Sequence, residues 1–107
     1  MKDVIQEIFD ELSTEHMGLS QKEFSSRWLC HSNSYWGYIK SSGADPSTEV
    51  MLRLWGQLQK QQQVCEYQLQ NSNSEFQQRF LKDWINLYSD LSTKAHQALE
   101  EYALAGK

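Results

Sequence analysis

Apolar residues recur at helical spacing along almost the whole chain. Between Asp3 and about Glu15, Val4, Ile5, Ile8, Phe9 and Leu12 fall on one face, with acidic residues mostly on the other. This pattern predicts a core-covering helix that ends at His16, Met17 and Gly18, with Gly18 as a left-handed cap. Ser20 followed three residues later by Glu23 reads as a capping box. Phe24, Trp28 and Leu29 then give a short helix over about residues 21–29. A polar break, His31 to Ser34, follows, and Ser32 or Asn33 can cap a second short helix carrying Tyr35, Trp36, Tyr38, Ile39 and Lys40. These cannot all face inward. Trp36 and Ile39, three apart, are assigned to the core, which leaves Tyr35 and Tyr38 more exposed.

Residues 41–46 form a loop in which Gly43 supplies a positive φ. Beyond it either Asp45 caps a helix with Pro46 at its first position, or Ser47 caps it and Val50 is the first buried residue. That helix is long, with Val50, Met51, Leu54, Trp55, Leu58, Cys65 and Leu69 near the helical period. Its glutamine-rich middle, Gln57 to Gln63, reads as a solvated wall. Residues 70–74 are a linker, and Ser74 caps the last helix. In that helix Phe76, Phe80, Trp84, Leu87, Tyr88, Leu91, Ala95, Ala98, Leu99 and Tyr102 step by threes and fours. About 28 residues at 1.5 Å each reach roughly 42 Å, more than a compact domain requires. The two long helices are expected to form an antiparallel hairpin. The surplus apolar stripe predicts a two-fold dimer through Phe80, Trp84, Leu87, Leu91, Ala95, Ala98 and Tyr102.

Composition narrows the class. No alternating run marks a strand, only one Pro occurs, and four Trp, five Tyr and four Phe can furnish one modest core in 107 residues. The expected class is all-α, with a division into residues 1–58, a helix-turn-helix domain, and 59–107, a helical hairpin extension for dimerisation, or one continuous core as the alternative. No apolar run reaches the roughly 20 residues that span a bilayer. The first residues are acidic and amphipathic rather than basic then apolar. A cytoplasmic location and no membrane partner are therefore expected. Cys30 and Cys65 have no CxxC or His at ligand spacing and read as reduced packing thiols. His16, His31 and His96 are isolated, with His96 and Glu100 an ordinary surface pair four apart. No phosphate loop, nucleophile motif or metal pattern appears, so no enzyme, cofactor, metal or catalytic residue is predicted.

The segment Leu19-Ser20-Gln21-Lys22-Glu23-Phe24-Ser25, the turn after it, Ser34-Tyr35 to Lys40, Pro46-Ser47, and the apolar Val50-Met51-Leu54-Leu58 together resemble the phage-repressor-like (Xre-type) helix-turn-helix domains. The resemblance covers roughly residues 17–58. It has departures. Ser25 stands where a small residue, often Ala, is usual. The turn usually has Gly, whereas here Cys30 lies nearby and one extra residue is inserted. Gly37 sits in the second helix. The resemblance implies a small dimeric transcriptional regulator that binds double-stranded DNA and reads the major groove with residues 32–40. Lys22, Arg27 and Lys40 would meet phosphates, and Ser32, Asn33, Ser34 and Tyr35 would lie nearest the bases or backbone. Two-fold pairing would set two reading helices about 34 Å apart, one duplex turn.

Charge pulls the other way. The formal net charge is −4, whereas phosphate binding needs clustered cations. Residues 1–15 hold Lys2 against Asp3, Glu7, Asp10, Glu11 and Glu15, a balance of −4; residues 16–48 hold Lys22, Arg27 and Lys40 against Glu23 and Asp45, a balance of +1. The alternative expectation is a helical interaction module, or an antiactivator, that docks a protein partner through Tyr35, Trp36 and Tyr38.

Overall fold

In the computed structural model the helical periodicity becomes five helices, with no strand among the described residues. The structure describes residues 1–16 and 18–105. Met17, expected at the end of the first helix, and residues 106–107, the end of the second predicted division, lie outside the described residues.

The first helix, α1, is Lys2–Glu15, and it buries Ile5, Ile8 and Leu12. His16 rather than Gly18 is its cap, donating its backbone N–H to the Leu12 carbonyl at 2.7 Å. Gly18 does adopt a positive φ, +90°. The next helix, α2, begins as Gln21–Glu23, with the Ser20 hydroxyl accepting the Glu23 N–H at 3.1 Å as the capping box predicts. It then widens into a π-helical turn, Phe24–Trp28. The Leu29 N–H reaches back five residues to the Phe24 carbonyl at 3.0 Å. A π turn holds one more residue than an α turn.

The third helix, α3, is Tyr35–Ser42. Its cap is Ser34, one or two residues later than expected, and Gly43 closes it at φ +73°. The fourth, α4, is Thr48–Gln70. Of the two starts open to it, the Ser47 cap forms: the Ser47 hydroxyl accepts the Val50 N–H at 3.3 Å. The last, α5, is Glu75–Ala105, and Ser74 accepts the Gln77 N–H at 3.3 Å. Its 31 residues extend about 46 Å, close to the molecule's longest dimension of 47 Å.

The fold is all-α, and its two long C-terminal helices pack side by side as an antiparallel hairpin. A single buried cluster draws on every helix: Ile5, Ile8 and Leu12 of α1, Phe24 and Trp28 of α2, Trp36 and Ile39 of α3, Leu54 and Leu58 of α4, and Tyr88 and Leu91 of α5. The expected division after Leu58 falls inside α4, and the cluster continues across it. Lys94 fastens α5 to α1, 2.9 Å from Glu11 and 3.9 Å from Glu7. No helix among the described residues is long and apolar enough to cross a membrane.

Candidate nucleic-acid interface and the cleft beside it

Two short helices meet at the turn formed by residues 29–34, and two contacts fix their junction. Ser25 is fully buried. It donates its hydroxyl to the Gln21 carbonyl at 2.9 Å and accepts the Trp36 N–H at 3.0 Å. The Trp36 N–H is one of the orphan donors at the start of α3, a group that a cap side chain ordinarily satisfies. Ser34 makes no such bond. A hydroxyl from the preceding helix caps α3 instead. Sequence reasoning treated Ser25 only as a tolerated small residue, because a cap supplied eleven positions away leaves no local pattern.

The second contact comes from α4. Arg53 donates to the Cys30 carbonyl at 3.0 Å and pairs with Glu49 at 2.7 Å. Cys30 stands at φ +53°, the left-handed position that Gly usually fills after a helix. Gln57 donates to its sulfur at 3.3 Å. The turn is therefore held in a conformation its own residue disfavours, with the strain offset by side chains of α4.

The outer surface of α3 follows the expected division in part. Trp36 and Ile39 are buried, and Tyr38 is 61% exposed. Ser32, Asn33, Ser34 and Lys40 are exposed, and α3 itself carries no acidic side chain. Tyr35 departs from the expectation. It is half-buried, its ring 3.9 Å from that of His31. Burial raises its pKa, while a backbone hydrogen bond at Ser47 opposes the rise. Tyr35 thus bridges the turn to the start of α4 instead of pointing outward.

The three cations assigned to phosphates, Lys22, Arg27 and Lys40, are all exposed. Arg27 also lines a cleft of about 520 Å³ with His16, Glu23, Gln57, Gln61 and Tyr88. There the His16 Nε2 and the Tyr88 hydroxyl are 2.9 Å apart, and the His16 ring meets Trp84 edge-on at 4.2 Å. Burial lowers the His16 pKa from 6.5; Arg27 pushes the same way and Glu15 opposes. A neutral ring accepts a hydrogen bond from the hydroxyl when its Nε2 is unprotonated and donates one when it carries the proton. His16, taken in the sequence as isolated, is joined to α5 across 72 positions.

This arrangement sets a pH dependence. The folded pKa lies below the unfolded one, so the unfolded chain binds the proton more readily. The stability that His16 contributes is complete above about pH 6.5 and is lost as the pH falls. The wild-type melting temperature is expected to drop between about pH 7.5 and pH 5.5, and His16→Gln is expected to flatten that drop. Equal drops in both chains would assign the effect to other groups.

The stripe expected to join two copies is largely used inside the subunit. Leu91, Ala95 and Ala98 are buried, and Trp84 and Leu87 are half-buried against the same core. Only Phe80 and Tyr102 are exposed, at 52% and 55%. A seam for a second copy cannot run along the buried members while the subunit is folded. No cluster of three or more His, Cys, Asp or Glu suited to a metal ion occurs among the described residues.

No curated protein and no solved structure matches the chain. A family model does match, over residues 5–106, which is nearly all of α1 through α5. The chain belongs to that family, DUF6626, a family of unknown function.

Proposed function

We propose that the protein is a helix-turn-helix DNA-binding regulator that presents α3 to the major groove. The observation that carries this reading is the division of α3. Trp36 and Ile39 are sunk in the core, the Ser25 hydroxyl caps the helix, and the outer side offers Asn33, Ser34 and Lys40 with no carboxylate of its own. Of the acids on the N-terminal helix, Glu7 and Glu11 are engaged with Lys94 on α5. Lys22 and Lys40 would hold phosphates, while Asn33 and Ser34 would lie nearest the base edges. Arg27, which lines the cleft, is left out of the phosphate set. The family match leaves the activity open, so the proposal stands on this geometry and on the resemblance of residues 17–58.

The test is a fluorescence-anisotropy titration against duplexes enriched from a random pool, at two salt concentrations. Binding is expected to weaken with salt, because phosphate contacts release counterions. Lys40→Glu is expected to weaken it about tenfold or more, while Arg27→Glu changes it little. Affinity no better than about 10⁻⁴ M for every duplex, the weak end of non-specific binding, would defeat the proposal.

One observation favours a second reading. Tyr38 is 61% exposed on the same helix, and exposed aromatics are common anchors of protein interfaces. A protein docked on α3 would be lost with Tyr38→Ala, and no duplex would be selected from the pool.

A further inference from the structure

We infer that the loop end of the α4–α5 hairpin is the docking surface for a second copy of this chain, joined two-fold to make a four-helix bundle. In the arm between Lys60 and Leu87, Cys65 is the only buried residue, and Leu81, Trp84, Ile85 and Leu87 pack part-buried against the core while the loop end carries no third layer. A pair of helices with no third layer has one apolar side unpartnered. Here that side is aromatic. Phe76 is 70% exposed, Phe80 52% and Tyr67 68%, and the two Phe rings meet edge-on at 4.9 Å. They line a groove of about 540 Å³ with Leu81, Asn71 and Ser72.

Charge favours a second copy. This arm carries Lys60, Arg79 and Lys82 against Glu66, Glu75 and Asp83, a balance of zero, so the rest of the chain holds the whole net charge of −4. A strongly acidic or basic partner gains nothing here, whereas a second copy is complementary. In a two-fold contact each residue pair occurs twice in exchanged roles, so Glu75 against Arg79 is satisfied on both sides. Area agrees. Three aromatic side chains of roughly 150–250 Å² each, half or more exposed, offer on the order of 300–400 Å² per copy. With Val64, Leu81 and the stems of Arg79 and Lys82, two copies reach about the 1,000 Å² that a specific interface requires. Two such hairpins supply each other's missing layer. The inference is independent of what α3 contacts.

The experiment is sedimentation equilibrium of the full chain over a concentration series, with circular dichroism to confirm that each variant is folded. The wild type, 12.6 kDa as a single chain, is expected to double in mass. Phe76→Glu with Phe80→Glu is expected to raise the dimer dissociation constant about a hundredfold or more, as loss of two central anchors does. Tyr102→Glu, at the far end of α5, is expected to leave it unchanged. Glu75→Arg and Arg79→Glu are each expected to weaken self-association, and an equimolar mixture of the two to restore it. A wild-type chain that stays at 12.6 kDa at about 100 µM overturns the inference. So does a dimer that survives the double substitution, or one that Tyr102→Glu dissolves.

Discussion

Trp36→Ala is expected to lower the stability of the chain by about 3–5 kcal/mol, the usual cost of removing a large buried aromatic. Total stabilities of about 5–15 kcal/mol leave little after such a loss. Trp36 is fully buried and stands edge-on to Phe24 at 5.9 Å, and Phe24 stands edge-on to Phe9 at 4.8 Å. The three rings link α3 through α2 to α1, so the cavity would open where three helices meet. Trp36→Phe makes the informative comparison. The indole Nε1–H is buried without a partner, an arrangement that carries its own desolvation cost. Phe keeps most of the ring and discards that donor, so its cost is expected to stay below about 1.5 kcal/mol. Urea denaturation followed by circular dichroism measures both. If the Ala variant lost less than about 1 kcal/mol, Trp36 would not be the anchor of α3.

Ser25→Ala is expected to cost about 1–3 kcal/mol, because the Trp36 N–H would be left buried and unpaired. The change removes one oxygen and creates almost no cavity, so packing alone would predict a much smaller effect. The loss should appear first in α3, where hydrogen exchange of the Trp36 amide is expected to accelerate before that of α4. Ser25→Thr retains the hydroxyl but adds a methyl group at a fully buried position, and is expected to fall between Ser and Ala. If the amide of Trp36 exchanged equally slowly in the Ala variant, the cap would contribute nothing.

The helical pattern was sufficient for the architecture. Apolar spacing placed α1, α4 and α5 within a few residues, because each has a long amphipathic side, and α4 and α5 also start at the capping residues Ser47 and Ser74. Gly43 was readable because its positive φ favours a residue without a Cβ. The π turn was not legible, since Phe24 to Trp28 carry no composition that distinguishes π from α. Ser25, Arg53 and the His16–Tyr88 pair were not legible at all. Each acts on a residue eleven or more positions away, and helical periodicity says nothing about partners on other helices. Tyr35 was misplaced for a related reason: the ring of His31 and the backbone of Ser47, which draw it inward, belong to neighbouring segments. The stripe on α5 was correctly found apolar, but spacing cannot distinguish a stripe that covers its own subunit from one left for another.

The length of α4 has a consequence for how two copies could share one duplex. Its 23 residues separate the short-helix module at its foot from the loop at its tip by about 34 Å. Copies joined at their tips would carry their modules on outstretched limbs pointing in opposite directions. Even with the tips overlapping by three helical turns, the feet would stand roughly 50 Å apart, well beyond the span of adjacent half-sites at about 34 Å. If α3 reads DNA as proposed, the matching target would be an interrupted palindrome with centres roughly one and a half turns apart, and a compact palindrome would engage one copy at a time.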